Sequence, residues 1–212
     1  MKAGEAERLS KLIQTEKVLW NSGLKYIAGV DEVGRGPMAG PVVASAVLFS
    51  AEVLPKLIKF SGINDSKRVP EAKREALSEI IRSEAVSFGI GFVDEGEIDR
   101  INILRGSLLA MKKAVLALGK TPSHILIDGP YTISKELPPQ TAVIGGDAKC
   151  FSIAAASIVA KVFRDKLMAE YHLKFPEYNF KKNKGYGTAE HMAAIKRVGL
   201  CPIHRKSFGG KD

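Results

Sequence analysis

The stretch YIAGVDEVGRGPMAGPVVASAVLF, Tyr26 to Phe49, decides the fold of this chain. Its first part, Tyr26 to Asp31, is short, apolar and partly β-branched, which predicts a core strand ending at a glycine-rich turn. Its last part, Pro41 to Phe49, predicts a second strand of the same kind. The turn between them, Val33 to Gly40, is too short for a helical crossover, so we predict that the two strands pair antiparallel.

Around this pair of strands, the spacing of apolar residues predicts further strands and helices. The predicted strands are Val86–Val93, His124–Asp128 and Thr141–Ile144, and Ser61–Arg68 is a polar loop. The predicted helices are Glu5–Asn21, Pro70–Arg82, Ile103–Leu118, Phe151–His172 and Thr188–Arg197. The order of these elements is strands first, then alternating helices and strands, then helices. This order is typical of an α/β fold with a mixed sheet flanked by helices. We expect residues 1–23 to form a helical extension, and 24–212 to form one domain with a helical C-terminal region.

The composition limits the class of protein and its partners. The chain has 212 residues, of which 45% are hydrophobic and 26% are charged, as in ordinary globular proteins. No apolar run approaches the length that spans a membrane. The two cysteines, Cys150 and Cys201, make a disulfide framework unexpected and favour a reducing, cytoplasmic location. A net charge of +9 favours a polyanionic partner, above all nucleic acid.

Acidic residues interrupt apolar runs at places that are normally buried. Asp31 ends the first strand and Asp128 ends His124–Asp128. Buried carboxylates are costly unless they are paired or bind a metal, and ligands bind outside the carboxyl ends of strands in such sheets. Glu32 follows Asp31 directly, so both can serve one site only if the strand ends or bends there.

A fourth candidate acid, Asp165, lies on the predicted long helix. It forms a polar stripe with Ser157 and Lys161, at intervals of four residues. The spacing leaves open a simple ion pair between Lys161 and Asp165 on a solvated face. Clustered carboxylates otherwise suit Mg²⁺ or Mn²⁺, and a pair of such ions is one solution for phosphodiester hydrolysis. A basic protein with an acidic centre is the pattern expected for a nuclease.

The Gly34-Arg35-Gly36 sequence follows the acid pair directly. Glycines let the backbone approach a ligand, so this loop could bind a sugar or a phosphate. A tight turn without a ligand is the plainer alternative. The loop also matches a relaxed dinucleotide-binding pattern ending at Ala39, but that motif must open a helix and here a strand follows.

Several long motifs together resemble the ribonuclease HII family. The first is YIAGVDEVGRGPMAGPVVASAV (Tyr26–Val47). The others are INDSK (Ile63–Lys67), ILIDG (Ile125–Gly129), GDAKCFSIAAASIVAKVFRD (Gly146–Asp165), HLKFPEYNF (His172–Phe180), KGYGT (Lys184–Thr188) and HRKSFG (His204–Gly209). The resemblance implies a ribonuclease H-like mixed sheet for residues 24–212. An aspartate as fourth acid and the lack of a large N-terminal binding domain favour this family over the related ribonuclease HIII.

The resemblance also implies roles for individual residues. The acids that bind Mg²⁺ or Mn²⁺, with two ions expected in the substrate complex, fall on Asp31, Glu32, Asp128 and Asp165. Contacts to the 2′-hydroxyls around the scissile phosphate fall on Gly34, Arg35 and Gly36, and Tyr186 stacks on the first deoxyribose after the ribonucleotide. Substrate-binding residues with weaker correspondence are Asn64, Ser66, Lys67 and Lys161. Lys161 and Ser157 are also expected to help hold the site together.

The implied activity is endonucleolytic cleavage of RNA. The substrates are RNA–DNA hybrids and duplex DNA containing ribonucleotides, cut on the 5′ side of a ribonucleotide to leave 3′-hydroxyl and 5′-phosphate ends, as in ribonucleotide excision repair. We expect a monomer. The competing hypotheses are a catalytically silent nucleic-acid-binding module and a dinucleotide-dependent oxidoreductase, which cleavage and NAD(P) binding would distinguish.

Overall fold

The computed structural model describes residues 3–208. A five-stranded mixed sheet runs through its centre, with strands in the order β3-β2-β1-β4-β5. The strands are β1 (Ile27–Val33), β2 (Val42–Phe49), β3 (Ser87–Val93), β4 (His124–Asp128) and β5 (Gln140–Val143). The pairing of β1 with β2 is antiparallel, as predicted, and so is that of β2 with β3. Strands β1, β4 and β5 run parallel, so the sheet is mixed.

The helices lie before, between and after the strands. They are α1 (Ala3–Leu12), α2 (Gln14–Asn21), α3 (Glu71–Glu84), α4 (Glu95–Ile101), α5 (Ile103–Leu116), α6 (Phe151–Lys174), α7 (Phe180–Asn183) and α8 (Ala189–Val198). Four 3₁₀ segments are also present within residues 3–208: Ala51–Phe60, Gly146–Ala148, Pro176–Tyr178 and Lys206–Phe208. The mixed sheet with flanking helices and the helical C-terminal region are therefore confirmed.

Two apolar layers cover the two faces of the sheet. On one face, α6 packs against β1 and β2, and a core cluster there includes Phe49, Phe60 and Phe151. On the other face, α5 packs against β2 and β3. Gly29 in β1 allows a close approach, because a Cβ there would lie 2.0 Å from the backbone carbon of Ser152. The start of α6 therefore rests directly on the strand that carries Asp31.

The N-terminal helix differs from its prediction. Instead of one helix over Glu5–Asn21, two helices meet at Ile13, whose backbone leaves the helical conformation and whose side chain is fully buried. Leu9 and Leu12 join the same core cluster as Phe151. A periodic pattern cannot show such a break, because both helices present apolar residues to one core. Within residues 3–208, no helix combines the length and apolar content that crossing a membrane requires.

Two other segments carry helical turns that the sequence analysis did not predict. The 3₁₀ segment Ala51–Phe60 contains Pro55 in its interior. Because proline disfavours the interior of an α-helix, the sequence offered no reason to predict a helix there. The short helix α4 begins after Asp94, whose side chain accepts a hydrogen bond from the backbone N–H of Glu97. Such a cap makes a seven-residue helix stable in its tertiary context although its length gives little periodic signal.

Candidate active site

Asp31 and Asp128 lie at the same edge of the sheet because their strands, β1 and β4, run parallel. Strand β1 pairs with β4 from Ile27 to Val30, and the pairing stops just before Asp31 and Asp128. On its other side, β1 stays paired with β2 through Val33. We expected Asp31 and Glu32 to share a site only if the strand ended or bent there. Strand β1 does not end at Asp31 but continues to Val33. Glu32 reaches the same cleft as Asp31 because β1 has no neighbour on its β4 side beyond Val30.

These acids line a cleft of about 190 Å³ at the carboxyl edge of β1 and β4. The residues that line it are Asp31, Glu32, Val33, Gly34, Arg35, Gly36, Ser66, Lys67, Asp128, Asp147, Ser157 and Tyr186. Four of these side chains are acidic and two are basic. The cleft is thus acidic in a chain that is basic as a whole.

Asp31 is the most deeply placed of the acids. It is 5% exposed, and burial raises its pKa well above its usual range. The negative charges of Glu32 and Asp128 raise this pKa further, while a hydrogen bond with Ser157 opposes the shift. Its carboxylate also accepts the backbone N–H of Glu32 at 2.7 Å. The ionised form of Asp31 therefore needs a nearby positive charge.

Glu32 and Asp128 are held by different partners. Burial raises the pKa of Glu32, and the guanidinium of Arg35, 3.3 Å from its carboxylate, opposes this shift. Asp128 accepts the backbone N–H of Gly146 at 2.7 Å. This contact ties the end of β4 to the turn that precedes α6.

Asp147, which the sequence analysis missed, lies in this same turn. It is half-buried in the 3₁₀ segment Gly146–Ala148, and it lines the cleft with the other three acids. Burial raises its pKa, and the charge of Asp128 raises it further. A signal was available, because Asp147 follows a strand parallel to β4 and therefore emerges at the same edge of the sheet.

Asp165 is not among the residues that line the cleft. It lines a neighbouring cavity on the α3 side of α6, where Lys161 Nζ donates to it at 2.7 Å and Arg74 Nη2 at 3.3 Å. The ion pair with Lys161 that the spacing left open is therefore present, but it is buried rather than solvated. The side chain that we predicted to bind metal is already neutralised by two cations.

The loop before α3 is only partly in the cleft. Ser66 and Lys67 line it, whereas Asn64 does not and instead accepts the backbone N–H of Asp65 at 2.9 Å. Ser66 Oγ lies 3.0 Å from Ser157 Oγ, and Arg74 donates to the carbonyl of Ser66 at 2.8 Å. Lys161, against Asp165, also lies outside the lining of the cleft.

The Gly-Arg-Gly loop forms the rim of the cleft beside Tyr186. Gly34 has φ +94°, which L side chains rarely adopt, and a Cβ there would lie 2.3 Å from Arg164 Nε. A Cβ on Gly36 would lie 3.6 Å from the ring of Tyr186. The loop backbone and a 43% exposed aromatic ring thus face the same space.

Two buried arginines, which the sequence analysis also missed, hold this loop from behind. Arg205 donates to the carbonyls of Gly34 and Gly40, both at 2.6 Å, and Arg164 donates to the carbonyl of Pro41 at 3.0 Å. Burial lowers the pKa of each arginine to about 10, so both stay charged at neutral pH. Both arginines lie within motifs quoted above, but a motif does not identify backbone carbonyls as the partners of a side chain.

The donor set of the cleft fits a hard divalent cation. All four acids offer carboxylate oxygens, and burial, followed by the charges of neighbouring acids, raises the pKa values of Asp31, Glu32 and Asp147. Among residues 3–208, no three side chains of aspartate, glutamate, histidine or cysteine stand close enough together to enclose a metal ion. The four carboxylates line one cleft, and a metal ion held by three of them would require these side chains to move closer together.

The sequence comparisons agree on one family. The family model described as Ribonuclease HII matches residues 28–211. The chain is 52% identical to the ribonuclease HII of Caldanaerobacter subterraneus subsp. tengcongensis, over 96% of this chain and 82% of that protein. It is 53% identical to the ribonuclease HII of Syntrophobacter fumaroxidans, over 94% of this chain and 83% of that one.

Solved structures agree with the sequence relatives. The ribonuclease H2 of Pyrococcus horikoshii OT3 superposes with a TM-score of 0.73 at 26% identity, covering 87% of this chain and 94% of that one. The structural match and the sequence relatives therefore agree. This chain therefore belongs to the ribonuclease HII family, metal-dependent endoribonucleases that cut the RNA strand of RNA–DNA hybrids.

Proposed function

We propose that this enzyme also nicks duplex DNA on the 5′ side of an embedded ribonucleotide, leaving 3′-hydroxyl and 5′-phosphate ends. The observation that carries the proposal is that four carboxylates, the Gly34–Gly36 backbone and the Tyr186 ring line one cleft. The acids supply the phosphodiester chemistry, and the loop and ring supply recognition of a single ribose. A site built in this way needs one ribonucleotide rather than a long hybrid.

The acids proposed to bind Mg²⁺ or Mn²⁺ are Asp31, Glu32, Asp128 and Asp147. Asp147 replaces Asp165 in this set, because Asp165 is already paired with Lys161 and Arg74 while Asp147 faces Asp128. Two bound ions would supply an activated water and stabilise the charge that develops on the scissile phosphate. The residues of the chain hold these charges in place: the backbone N–H of Gly146 donates to Asp128, and the backbone N–H of Glu32 donates to Asp31.

The ribose reader consists of Gly34, Arg35, Gly36 and Tyr186. The 2′-hydroxyl distinguishes RNA from DNA locally, and backbone groups can contact it only where no side chain intervenes. Gly36 leaves that space open next to the Tyr186 ring. Tyr186 would then stack on the deoxyribose that follows, so the pair reads an RNA-to-DNA junction.

Other predicted contacts receive different roles. Lys67 is exposed at the cleft and suits a backbone phosphate, with Ser66 beside it. Lys161 acts on Asp165 rather than on substrate. Asn64 stays a predicted substrate contact, since its loop adjoins the cleft. The monomeric state, the cytoplasmic location and the division into an extension over 1–23 and a catalytic domain over 24–212 also stay proposals.

The deciding experiment is cleavage of a DNA duplex that carries one ribonucleotide, with mapping of the ends. We expect a nick on the 5′ side of that residue with Mg²⁺ or Mn²⁺, and no cleavage with EDTA. Asp31→Asn should bind this duplex and not cut it, because the isosteric amide keeps the fold and removes the charge. A matched all-DNA duplex is the control. Cleavage by Asp31→Asn at the wild-type rate, or salt-sensitive binding without any cleavage by the wild type, would refute the proposal.

A further inference from the structure

Two of the four histidines of this chain form a buried pair beside the cleft. His191 lies in α8 and His204 in the segment that follows, and both are buried. Their Nε2 atoms are 3.0 Å apart, so one ring must donate a proton to the other. Neither histidine belongs to the proposed catalytic set.

The partners of the outer ring nitrogens fix which ring donates. The backbone N–H of Cys201 lies 2.9 Å from His204 Nδ1, whereas the carbonyl oxygen of Cys201 lies farther away, at 3.2 Å. The shorter contact needs a lone pair on Nδ1, because a backbone N–H can only donate. A neutral His204 therefore has its proton on Nε2 and donates it to His191 Nε2. His191 then carries its proton on Nδ1, which lies 2.8 Å from the carbonyl oxygen of Tyr186. With both rings neutral, every ring nitrogen of the pair has a partner.

The surroundings favour this neutral state. Tyr178 and Phe180 stack at 5.3 Å, and the two imidazole rings pack edge-on or tilted against them. Burial lowers the pKa of His204. A zinc site is excluded by the geometry, because Cys201 Sγ contacts the Nδ1 side of His204 while His191 contacts its Nε2 side.

The two ends of this pair lead to the two halves of the ribose reader. One end is the carbonyl of Tyr186, which also accepts the backbone N–H of Thr188 at 2.8 Å. The other end is His204, next in the chain to Arg205, whose guanidinium holds Gly34 and Gly40. The histidine pair thus connects the Tyr186 loop to the residue that fixes the Gly-Arg-Gly loop.

We propose that His191 and His204 are positioning residues, which hold Tyr186 in register with the Gly-Arg-Gly loop through their hydrogen bonds and the peptide bond between His204 and Arg205. The inference rests on the proposed role of Tyr186 in reading the substrate. A relay of neutral rings is directional, so a side chain that only fills the same volume does not replace it. Losing the relay should weaken substrate positioning more than the chemical step.

The first test observes the tautomers directly in the wild-type protein. Long-range ¹H–¹⁵N correlation spectra at pH 7.5 should show His204 protonated on Nε2 and His191 protonated on Nδ1. His172, which lies outside the pair, is the internal reference. The opposite tautomer at either ring, or a charged ring, would overturn the proposal without any variant having to fold.

The second test is a double-mutant cycle on the single-ribonucleotide duplex, using His191→Leu and Tyr186→Ala. We expect His191→Leu to raise KM about tenfold, the factor that one lost buried hydrogen bond typically gives, with a smaller change in kcat. His191→Asn keeps a donor near the Nδ1 position and should recover part of this loss. Because His191 acts through Tyr186, the double variant should be no more than about twofold worse than Tyr186→Ala alone.

The outcomes separate this inference from the proposed function. If Tyr186→Ala raises KM and the two effects multiply, the histidine pair acts elsewhere and the inference fails while the proposed function stands. If Tyr186→Ala keeps the wild-type KM, the role proposed for Tyr186 fails, and the inference fails with it. The control variant His172→Gln should behave as the wild type in both assays.

Discussion

Asp165→Asn tests most sharply whether this residue binds metal or supports structure. Asp165 accepts hydrogen bonds from Lys161 and Arg74, and the three side chains are 8%, 15% and 10% exposed. An amide in this place leaves two buried cations without a counter-charge. If Asp165 acts through these contacts, its loss should be seen in stability, whereas the loss of a metal-binding acid should be seen in cleavage.

The size of the effect follows from the partners that remain. Removing one member of a buried ion pair costs about 3–5 kcal/mol. Arg74 keeps two backbone acceptors, Ser66 O at 2.8 Å and Val69 O at 2.9 Å, so the lower end of that range applies. A loss of about 3 kcal/mol should lower the Tm by about 6–12 °C for a chain of this size. Cleavage should fall by less than about tenfold, since the displaced Ser66 loop lies at the cleft.

The matched variant is Asp147→Asn, in which the same chemical change is made at the cleft. Burial and Asp128 raise the pKa of Asp147, so removing its charge should leave the Tm unchanged or raise it. Cleavage should fall about 100-fold or more, because the metal centre loses a ligand. Thermal unfolding is measured by circular dichroism without divalent ions, since bound metal would shift the Tm by linkage. Single-turnover cleavage is measured with Mg²⁺ and with Mn²⁺.

The reverse pattern would refute this reasoning. If Asp165→Asn keeps the wild-type Tm and loses cleavage as Asp31→Asn does, then Asp165 binds metal after rearranging away from Arg74. If Asp147→Asn cuts normally, Asp147 has no place in the catalytic set.

Two further predictions concern the supports of the site. Glu16 is buried and accepts the backbone N–H of Ser152 in the first turn of α6, at 2.8 Å. Burial raises its pKa, so the wild-type side chain stabilises the fold fully below about pH 4.5 and loses that contribution as the pH rises through the folded-state pKa. Glu16→Gln should therefore be more stable than the wild type near neutral pH. Denaturant unfolding from pH 4.5 to 8 measures this, and a gain that shrinks with rising pH contradicts it. Gly34→Ala should lower the free energy of unfolding by at least about 1 kcal/mol and raise KM, because φ is +94° and the new Cβ would collide with Arg164. Gly4→Ala, which has open space around it, is the control. Equal stability of the two variants would show that Gly34 is not constrained.

The sequence predicted the parts of the fold that depend on local pattern. The antiparallel pair β1–β2 follows from two apolar runs joined by a turn too short for a crossover. Strand β4 begins and ends as predicted, at His124 and Asp128, because an apolar run ends there at an acid. These features depend on residues near in sequence, so composition and spacing are enough to predict them.

The sequence analysis named Asp165 and missed Asp147, although the position of Asp147 after the last strand was an available signal. Asp165 lies on a helix whose apolar residues face several neighbours, so periodicity did not decide which way its polar stripe points. Packing of α3 against α6 brings Arg74 to Asp165, from 91 residues away. Asp147 stands in a short glycine turn without periodicity, and only the parallel pairing of β5 with β4 brings it to the edge where Asp128 ends.

By itself, the sequence determined the family, the sheet, and three of the acids that line the cleft, Asp31, Glu32 and Asp128. The tertiary structure decided which fourth acid shares their cleft, how the buried arginines hold the glycine loop, and how His191 meets His204. The physical reason is that strand order and strand ends follow from local hydrophobic pattern, whereas ion pairs and hydrogen bonds between distant segments depend on how the helices pack. The partners of the charged and hydrogen-bonding side chains therefore depend on tertiary packing, which the sequence of one segment does not show.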